Sequence, residues 1–473
     1  MRRTKIVATL GPATSEPKTM VELISAGADV LRLNFSHGTR DEHAEMAARA
    51  REAAAEAGRE IALMGDLPGP KLRVGEVPGG LMELRQGDPC RLTLREGDHD
   101  GTTIPVAWSG LPEAVKEGDA IYLADGKIRL RTLATSSESV ETAVEVGGSL
   151  ASHQGLNLPG ADEALPGVGS ADLTWVDFAV ENGIDLLAVS FVRRSADLEV
   201  VAERLREREW DAPLIAKIEK ERAAERAEEI VQAAGGVMIA RGDLGIEVRL
   251  ERVPLIQKRL LRLAGRYSKP SITATQMLAS MVRSPQPTRA EVADVANAIY
   301  DGTDAVMLSE ETAVGEHPVE AVRTMVRIAT QTEPELPYAS WLRRRTRRED
   351  RDVGDTVASG AVGAVAELGL AALVVPTQSG RTARLVSAHR PRVPVLALSP
   401  RIETVRRLNL LWGVACELHE QPENLNDLLD SCAHRARELG FAKPGDLIGI
   451  TAGLPGHGLG TNLFEVQPVP AAS

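Results

Sequence analysis

"IALMGDLPGPKLRVG" (residues 61–75) changes character in its middle. The apolar run at its start reads as a strand that closes at Asp66. Pro68, Gly69 and Pro70 then forbid a helix, although similar runs elsewhere in the chain lead into helical stretches. A lysine, Lys71, stands just past the strand-end aspartate, in a chain with ten lysines and forty-five arginines.

Outward from this stretch, seven more short runs rich in branched apolar residues recur. They are "KIVATL" (5–10), "DVLRLNF" (29–35), "DLLAVSF" (185–191), "PLIAKIE" (213–219), "GVMIARG" (236–242), "PSITATQ" (270–276) and "DAVMLSE" (304–310). Amphipathic stretches such as "EPKTMVELISAG" and "SADLTWVDFAVENG" separate most of them. The stretch from Thr288 opens on "TRAE", a capping box in which a threonine hydroxyl and a glutamate satisfy the first free N–H groups of a helix. Eight strand–helix units ending near residue 332 predict an α/β chain with a (β/α)8 TIM barrel. A doubly wound open sheet is the alternative, but the first turn lacks its glycine-rich fingerprint.

Residues 67 to about 155 break this rhythm by alternating apolar and polar positions. "IRLRTLAT" sets Ile128 and Leu130 against Arg129 and Arg131, and "SVETAVEVG" sets Val140, Val144 and Val146 against Glu141 and Glu145. Such period-two patterning with Gly-rich turns predicts an all-β domain inserted in a barrel loop, placed to act as a lid. After the barrel, "WLRRRTRREDRD" (341–352) reads as a solvated linker or surface helix. "ALVVPTQSGRTARLVSAHRPRVPVLALSP" then repeats strand, loop, helix and strand, as a C-terminal α/β domain would. The expected division is barrel 1–67 and 155–335, lid 68–154, and C-terminal domain 353–473.

A net charge of −12 argues against nucleic-acid or anionic-membrane partners. No apolar run approaches a membrane span, and the five apolar residues 6–10 are too few for a signal peptide. Cys90, Cys416 and Cys432 lack metal-ligand spacing and read as buried thiols of a cytoplasmic protein.

The chemistry gathers where the strands end, as it does in barrels of this type. Run two ends with Arg32, Asn34, Ser36 and His37, and run three with Asp66. Run five ends with Lys217 and Glu219, and run six with Arg241 and Asp243. Run seven brings Thr273, Thr275 and Gln276; run eight brings Ser309, Glu310 and Glu311. Glu219 and Asp243 offer hard oxygens to a divalent cation, while Arg32, Arg73 and Lys217 offer positive charge to an anionic substrate. The glycine and aspartate of "ARGDLG" precede a short helical turn whose N–H groups suit a carboxylate or phosphate. This set suits phosphoryl transfer, and it suits metal-assisted aldol chemistry on an oxoacid about equally well.

The motifs "TKIVATLGPAT", "RLNFSHG", "GLNLPG", "AKIE", "ARGDLG", "TATQML", "PTRAEVADVANAI" and "LSEETA" resemble, in order and approximate spacing, those of the pyruvate kinases. The likeness covers nearly the whole chain. It implies transfer of phosphate from phosphoenolpyruvate to ADP, giving pyruvate and ATP, the last step of glycolysis. It further implies Lys217 as catalytic lysine, Arg32 at the phosphate, Glu219 and Asp243 as ligands of Mg²⁺ (or Mn²⁺), and Gly242 and Asp243 as N–H donors to the substrate carboxylate. Thr275 would lie on the route that protonates the enolate. Arg73 matches a phosphate-contacting arginine, and His37 lies near the nucleotide. Asn34, Ser36 and Asp66 match the lining of a monovalent-cation site. "TQSGRT" matches an effector-phosphate loop (Thr377, Ser379, Gly380, Arg381, Thr382), and "GLPGHGLGTN" the loop that closes over the effector. A homotetramer is usual in the family. A metal-dependent oxoacid aldolase or lyase and a non-catalytic phosphometabolite sensor remain the rivals.

Two departures stand out. The family string D-T-K-G-P-E-I-R is here "DLPGPKLR", so Leu67 replaces a threonine and Lys71 a glutamate. The ammonium of Lys71 would then take the place of potassium, as in the potassium-independent members, and potassium would not be required. In "SHQGLNLPG", His153 and Gln154 stand where the family carries a nucleotide-contacting lysine.

Overall fold

The computed structural model describes residues 1–70, 72–95, 101–124, 126–161, 167–346, 351–422, 424–453 and 460–471. All eight expected runs are strands of one closed parallel barrel: Lys5–Thr9, Val30–Asn34, Ala62–Asp66, Leu186–Val189, Leu214–Ile218, Gly236–Ala240, Ser271–Ala274 and Ala305–Leu308. Lys5–Thr9 closes the ring by pairing with Val30–Asn34 on one side and Ala305–Leu308 on the other. Each strand is buried on both faces, which is why the runs show no alternation. Val7, Val30, Met64, Ile215, Met238, Ile272 and Met307 fill the barrel. Ile6, Leu31, Leu63, Leu187, Ile218 and Ile239 face the helices outside. Gly65 is required in the third strand, because a Cβ there would lie 2.6 Å from the Phe35 ring. That ring stacks on Trp175, with centroids 4.5 Å apart.

The chain leaves the barrel through the quoted stretch. Gly69 adopts φ +65°, a conformation costly for any side chain, and its N–H donates to Asp172 Oδ1 at 2.9 Å. The insert forms a six-stranded and a two-stranded sheet, with one helical turn at Leu111–Ala114. Its sheet runs past residue 154, since Leu156–Asn157 pairs with Ala120–Leu123. Ile128, Leu130, Val140 and Val144 are buried as expected, but Val146 is exposed. A bulge between Arg129 and Leu130 pairs Val146 with Arg129 and Val144 with Leu130, which breaks the period-two count at that point.

Tyr338–Thr346 is the arginine-rich helix, anchored by the buried side chain of Trp341. The C-terminal domain is a five-stranded sheet: Val414–Leu418, Val395–Ser399, Ala372–Pro376 and Leu447–Ala452 are parallel, and Leu463–Pro468 is an antiparallel edge. It closes the floor of the barrel. Leu410 joins the interior apolar cluster, and buried Arg390 reaches Asp304 Oδ1 at 2.6 Å. Cys90 and Cys432 are buried, and Cys416 is half-buried. Among the described residues, no helix is long and apolar enough to cross a membrane.

Asp29, at the start of the second strand, ties the floor together. Its carboxylate accepts from Ile6 N at 2.8 Å, Arg2 Nη2 at 2.7 Å and Arg59 Nη2 at 3.2 Å. Burial would raise its pKa, but Arg2, Lys5 and Arg59 outweigh burial and hold it below 3.8. A folded value below the unfolded one contributes stability above pH 3.8, lost as pH falls through the folded value. Asp29→Asn is therefore expected to cost about 3 kcal/mol at neutral pH by urea unfolding. The difference from wild type should shrink below pH 3.8.

Candidate active site

The C-terminal ends of the strands enclose a cleft of about 380 Å³. Arg32, Asn34, His37, Asp66, Lys217, Glu219, Asp243, Thr275, Ser309 and Glu310 line it. Lys217 stands at its centre. Its Nζ lies 2.8 Å from Glu219 Oε1 and 3.1 Å from Asp66 Oδ1, and it donates to Ser190 Oγ at 2.7 Å. Burial alone would lower the ammonium pKa, yet Asp66 and Glu219 more than reverse that and hold it above the ordinary lysine value. Lys217 is therefore charged at neutral pH.

Asp66 is only 1 % exposed, and both its oxygens are engaged. Oδ2 accepts from Arg32 Nε at 2.7 Å, and Oδ1 faces Lys217 and Ser190 Oγ. These cations keep its pKa low against the opposing effect of burial. Arg32 is also oriented by Thr9, whose hydroxyl accepts from Nη1 at 3.1 Å. Glu219, equally buried, accepts from Phe191 N at 2.7 Å. Burial first, and then the charge of Asp243, raise its pKa, with Lys217 opposing. Two carboxylates that repel one another in a buried cleft are a fitting donor pair for a hard dication. Among the described residues, no group of three His, Cys, Asp or Glu side chains gathers in metal-binding fashion, so substrate and water oxygens would complete the coordination.

Thr275 has φ +69° and Gln276 φ +53°, an arrangement uncommon for residues with side chains. The turn is held by Arg241, which donates to Thr275 O at 2.8 Å and Ala274 O at 3.2 Å and pairs with Asp294 at 2.8 Å. Thr275 Oγ1 donates to Ala274 O at 2.6 Å and accepts from Gly242 N at 2.8 Å. Gly242 opens the seven-residue helix Arg241–Glu247, so its N–H is engaged by the threonine here.

Not every strand-end group reaches the cleft. Thr273 is buried and bonds Thr303 Oγ1 at 3.0 Å. Glu311 turns inward to accept from Leu278 N and Ser309 N. The Ser36 N–H donates to Asn34 Oδ1 at 3.3 Å. Arg73 lies apart, at the base of the lid, donating to His153 O at 3.0 Å, and Gln154 Oε1 accepts from Ala151 N. Lys71 lies outside the described residues. Thr9 and Ser190 were not singled out from sequence, since each is one hydroxyl at the end of an apolar run.

A second cavity of about 510 Å³ adjoins the first and shares Thr9, Asn34, His37, Ala313 and Val314 with it. Its further walls include Pro12, Glu42, His43 and Met46. The two share a wall and together form one cleft at the C-terminal ends of the barrel strands.

Residues 1–322 match the family described as pyruvate kinase, barrel domain, and residues 355–467 match pyruvate kinase, alpha/beta domain. The chain belongs to the pyruvate kinase family. The pyruvate kinase of Geobacillus stearothermophilus is 42% identical over 99% of this chain and 80% of its own length. That of Thermococcus litoralis is 40% identical over 99% of both chains, and that of Thermotoga maritima 36% identical over 99% of this chain and 100% of its own. This chain is accordingly an enzyme, a phosphotransferase acting as a pyruvate kinase: phosphoenolpyruvate and ADP are its substrates, pyruvate and ATP its products.

In the C-terminal domain, most of the effector-loop groups already have partners. Thr377 Oγ1 accepts from Gly380 N at 3.0 Å, Thr382 Oγ1 meets Thr461 Oγ1 at 2.7 Å, and Arg381 pairs with Asp352 at 2.5 Å. Of "GLPGHGLGTN", residues 454–459 lie outside the described residues.

Proposed function

We propose that Lys217, Arg32 and Thr275 carry the transfer, that Glu219 and Asp243 hold Mg²⁺ (or Mn²⁺), and that potassium is not required. The charge balance of the cleft carries this reading. Arg32 and Lys217 face Asp66, Glu219, Asp243 and Glu310, an excess of two negative side chains. A phosphorylated carboxylate would be repelled from such a site. A divalent cation held by Glu219 and Asp243 would cancel that excess; when bound, it supplies charge neutralisation to the transferring phosphoryl group.

The P–O bond to the enol oxygen breaks and a β-phosphate oxygen of ADP takes the phosphoryl group. Arg32 and Lys217, fixed by carboxylates and hydroxyls, meet the charge of that group without reorganising. Arrival of the substrate carboxylate at the N–H groups of Gly242 and Asp243 would displace the Thr275 hydroxyl from Gly242, freeing it for the proton route to the enolate carbon. The adjoining cavity, with His37 on its shared wall, suits the nucleotide, and Arg73 would approach it as the lid closes. An aldolase or lyase has no use for that second cavity or for a lid.

Two observations support potassium independence. Leu67, at the position of the family's threonine, is buried and brings no side-chain oxygen to the monovalent-cation site, and its carbonyl oxygen already accepts from Ser190 Oγ at 2.7 Å. Asp66, which with Asn34 and Ser36 would line that site, already has a protein cation on each oxygen. Lys71 would add a third positive charge. The proposal extends to the division into a barrel, an insert that begins at 68 and reaches past 154 to Asn157, and a C-terminal domain over 353–473, to a cytoplasmic homotetramer, and to a phosphorylated effector at Thr377, Ser379, Gly380, Arg381 and Thr382.

A coupled assay with phosphoenolpyruvate, ADP and Mg²⁺, run in sodium and then in potassium, tests the reading. Equal turnover in the two salts is expected, and Lys71→Glu should create a potassium requirement. Strong potassium activation of the wild-type chain would refute potassium independence. Absence of pyruvate in both salts would refute the site assignment.

A further inference from the structure

Lys220 and Glu247 form a buried ion pair beside the cleft that no step of the transfer uses. Lys220 Nζ donates to Glu247 Oε1 at 2.5 Å, and the two side chains are 4 % and 2 % exposed. Lys220 directly follows Glu219, just past the fifth barrel strand, Leu214–Ile218. Glu247 closes the helix Arg241–Glu247, whose first turn carries Gly242 and Asp243. Asp243 and Glu247 are four positions apart, which sets them on one face of that helix. Each partner of the ion pair therefore shares a short element with one of the two acids assigned to the metal.

Backbone pairing stops short of both acids. The ladder between Leu214–Ile218 and Gly236–Ala240 ends at the pair Ile218–Ile239, before Glu219 and before the helix. Beyond that point side chains anchor the helix. At its start, Arg241 donates to the carbonyls of Ala274 and Thr275, and Gly242 N donates to the Thr275 hydroxyl. At its end, Glu247 ties it to Lys220. The first anchor fixes the helix to the seventh strand, and the second fixes it to the fifth.

Phe191 joins the two adjacent residues Glu219 and Lys220. Its N–H donates to Glu219 Oε2 at 2.7 Å, and its ring centroid lies 5.8 Å from Lys220 Nζ, within cation–π reach. Its φ of +54° is uncommon for a bulky side chain and persists only where the surroundings impose it.

Stability alone is a poor account of such a pair. Removing two charges from water offsets most of their attraction, and apolar residues of similar volume often serve as well. What the ion pair adds is direction, a short charge-assisted bond between two particular elements. There is also a force for it to oppose. Glu219 and Asp243 are like charges lining one cleft, and their repulsion acts to part the end of the fifth strand from the helix. The bond from Lys220 to Glu247 spans the same two elements and holds them together.

We infer that Lys220 and Glu247 are positioning residues, whose ion pair sets the spacing of Glu219 and Asp243 before a dication arrives. The inference rests on the reading that these two acids hold the metal.

The test is Mn²⁺ affinity, measured by electron paramagnetic resonance on the full chain, with urea unfolding alongside. Lys220→Met combined with Glu247→Leu replaces the ion pair by an apolar one. Mn²⁺ affinity is expected to fall about tenfold, while the urea midpoint stays close to that of wild type. Lys220→Arg keeps a charged donor suited to a buried ion pair, and should retain most of the affinity. Glu247→Gln keeps the shape and one acceptor of the native side chain, should also weaken Mn²⁺, and decides the matter if the double replacement does not fold. Wild-type affinity in the double variant, or in Glu247→Gln where only that folds, would overturn the inference. So would a loss in Lys220→Arg as large as in the double variant, or a loss that follows a lowered urea midpoint across the variants, since both mark a pair with a structural role alone. Glu219→Gln and Asp243→Asn check the underlying reading. Unchanged affinity in both would refute the metal assignment itself, whereas losses there with none in the ion-pair variants would refute this inference only.

Discussion

Lys217→Ala is expected to lower turnover by about a thousandfold or more, with the fold retained. The ammonium is the one group in contact with Asp66, Ser190 and Glu219 together, among the described residues. It is held protonated in a buried cleft, where a fixed charge acts far more strongly on a developing negative charge than it would in water. Alanine leaves Asp66 and Glu219 facing a void. Arg32 still neutralises Asp66, but Glu219 loses the ammonium that it pairs with. Its pKa, already raised by burial and Asp243, should climb further. Stability should fall by about 3 kcal/mol, as when one member of a buried pair is removed. The checks are steady-state turnover with phosphoenolpyruvate and ADP, alongside circular dichroism and urea unfolding. Retained turnover would show that Lys217 does not carry the transfer.

The second large effect is expected from Glu219→Gln, which should weaken Mn²⁺ binding and lower kcat/KM by about a hundredfold. The carboxylate serves two donors: Oε1 meets the Lys217 ammonium and Oε2 accepts from the Phe191 amide. A glutamine has one oxygen and must present its NH₂ group to one of these donors, so the substitution sets donor against donor as well as removing a charge. Electron paramagnetic resonance of Mn²⁺ measures affinity without turnover. Unchanged affinity would remove Glu219 from the metal site. Asp243→Asn should weaken Mn²⁺ while keeping the hydrogen bonds and ion pairs of Lys217, since no described hydrogen bond joins their side chains; it removes only one of the charges that raise the Lys217 pKa.

The architecture was largely legible because it is written locally. Eight apolar runs, a capping box at Thr288 and a Pro–Gly-rich exit after Asp66 correspond to eight strands, the helix Arg289–Asp301 and the departure to the lid. Val146 was misplaced for an equally local reason: a period-two reading has no means of anticipating the bulge at Arg129. In the site, residue types were readable and partnerships were not. Thr273 and Thr275 are two positions apart on the seventh run, yet one bonds to Thr303 while the other lines the cleft. Glu310 and Glu311 are adjacent, yet the first lines the cleft and the second binds backbone amides.

Alternation, turn chemistry and the polarity of strand ends are properties of neighbouring residues. They were sufficient for the barrel, the insert, the C-terminal domain and for setting Lys217, Glu219, Asp66 and Arg32 at strand ends, which the fold brings into one cleft. Which oxygen of Asp66 faces which cation, and that Ser190 completes the set, emerged only from closure of the barrel. Ser190 and Asp66 are 124 positions apart and meet across adjacent strands whose register pairs Ala188 with Asp66.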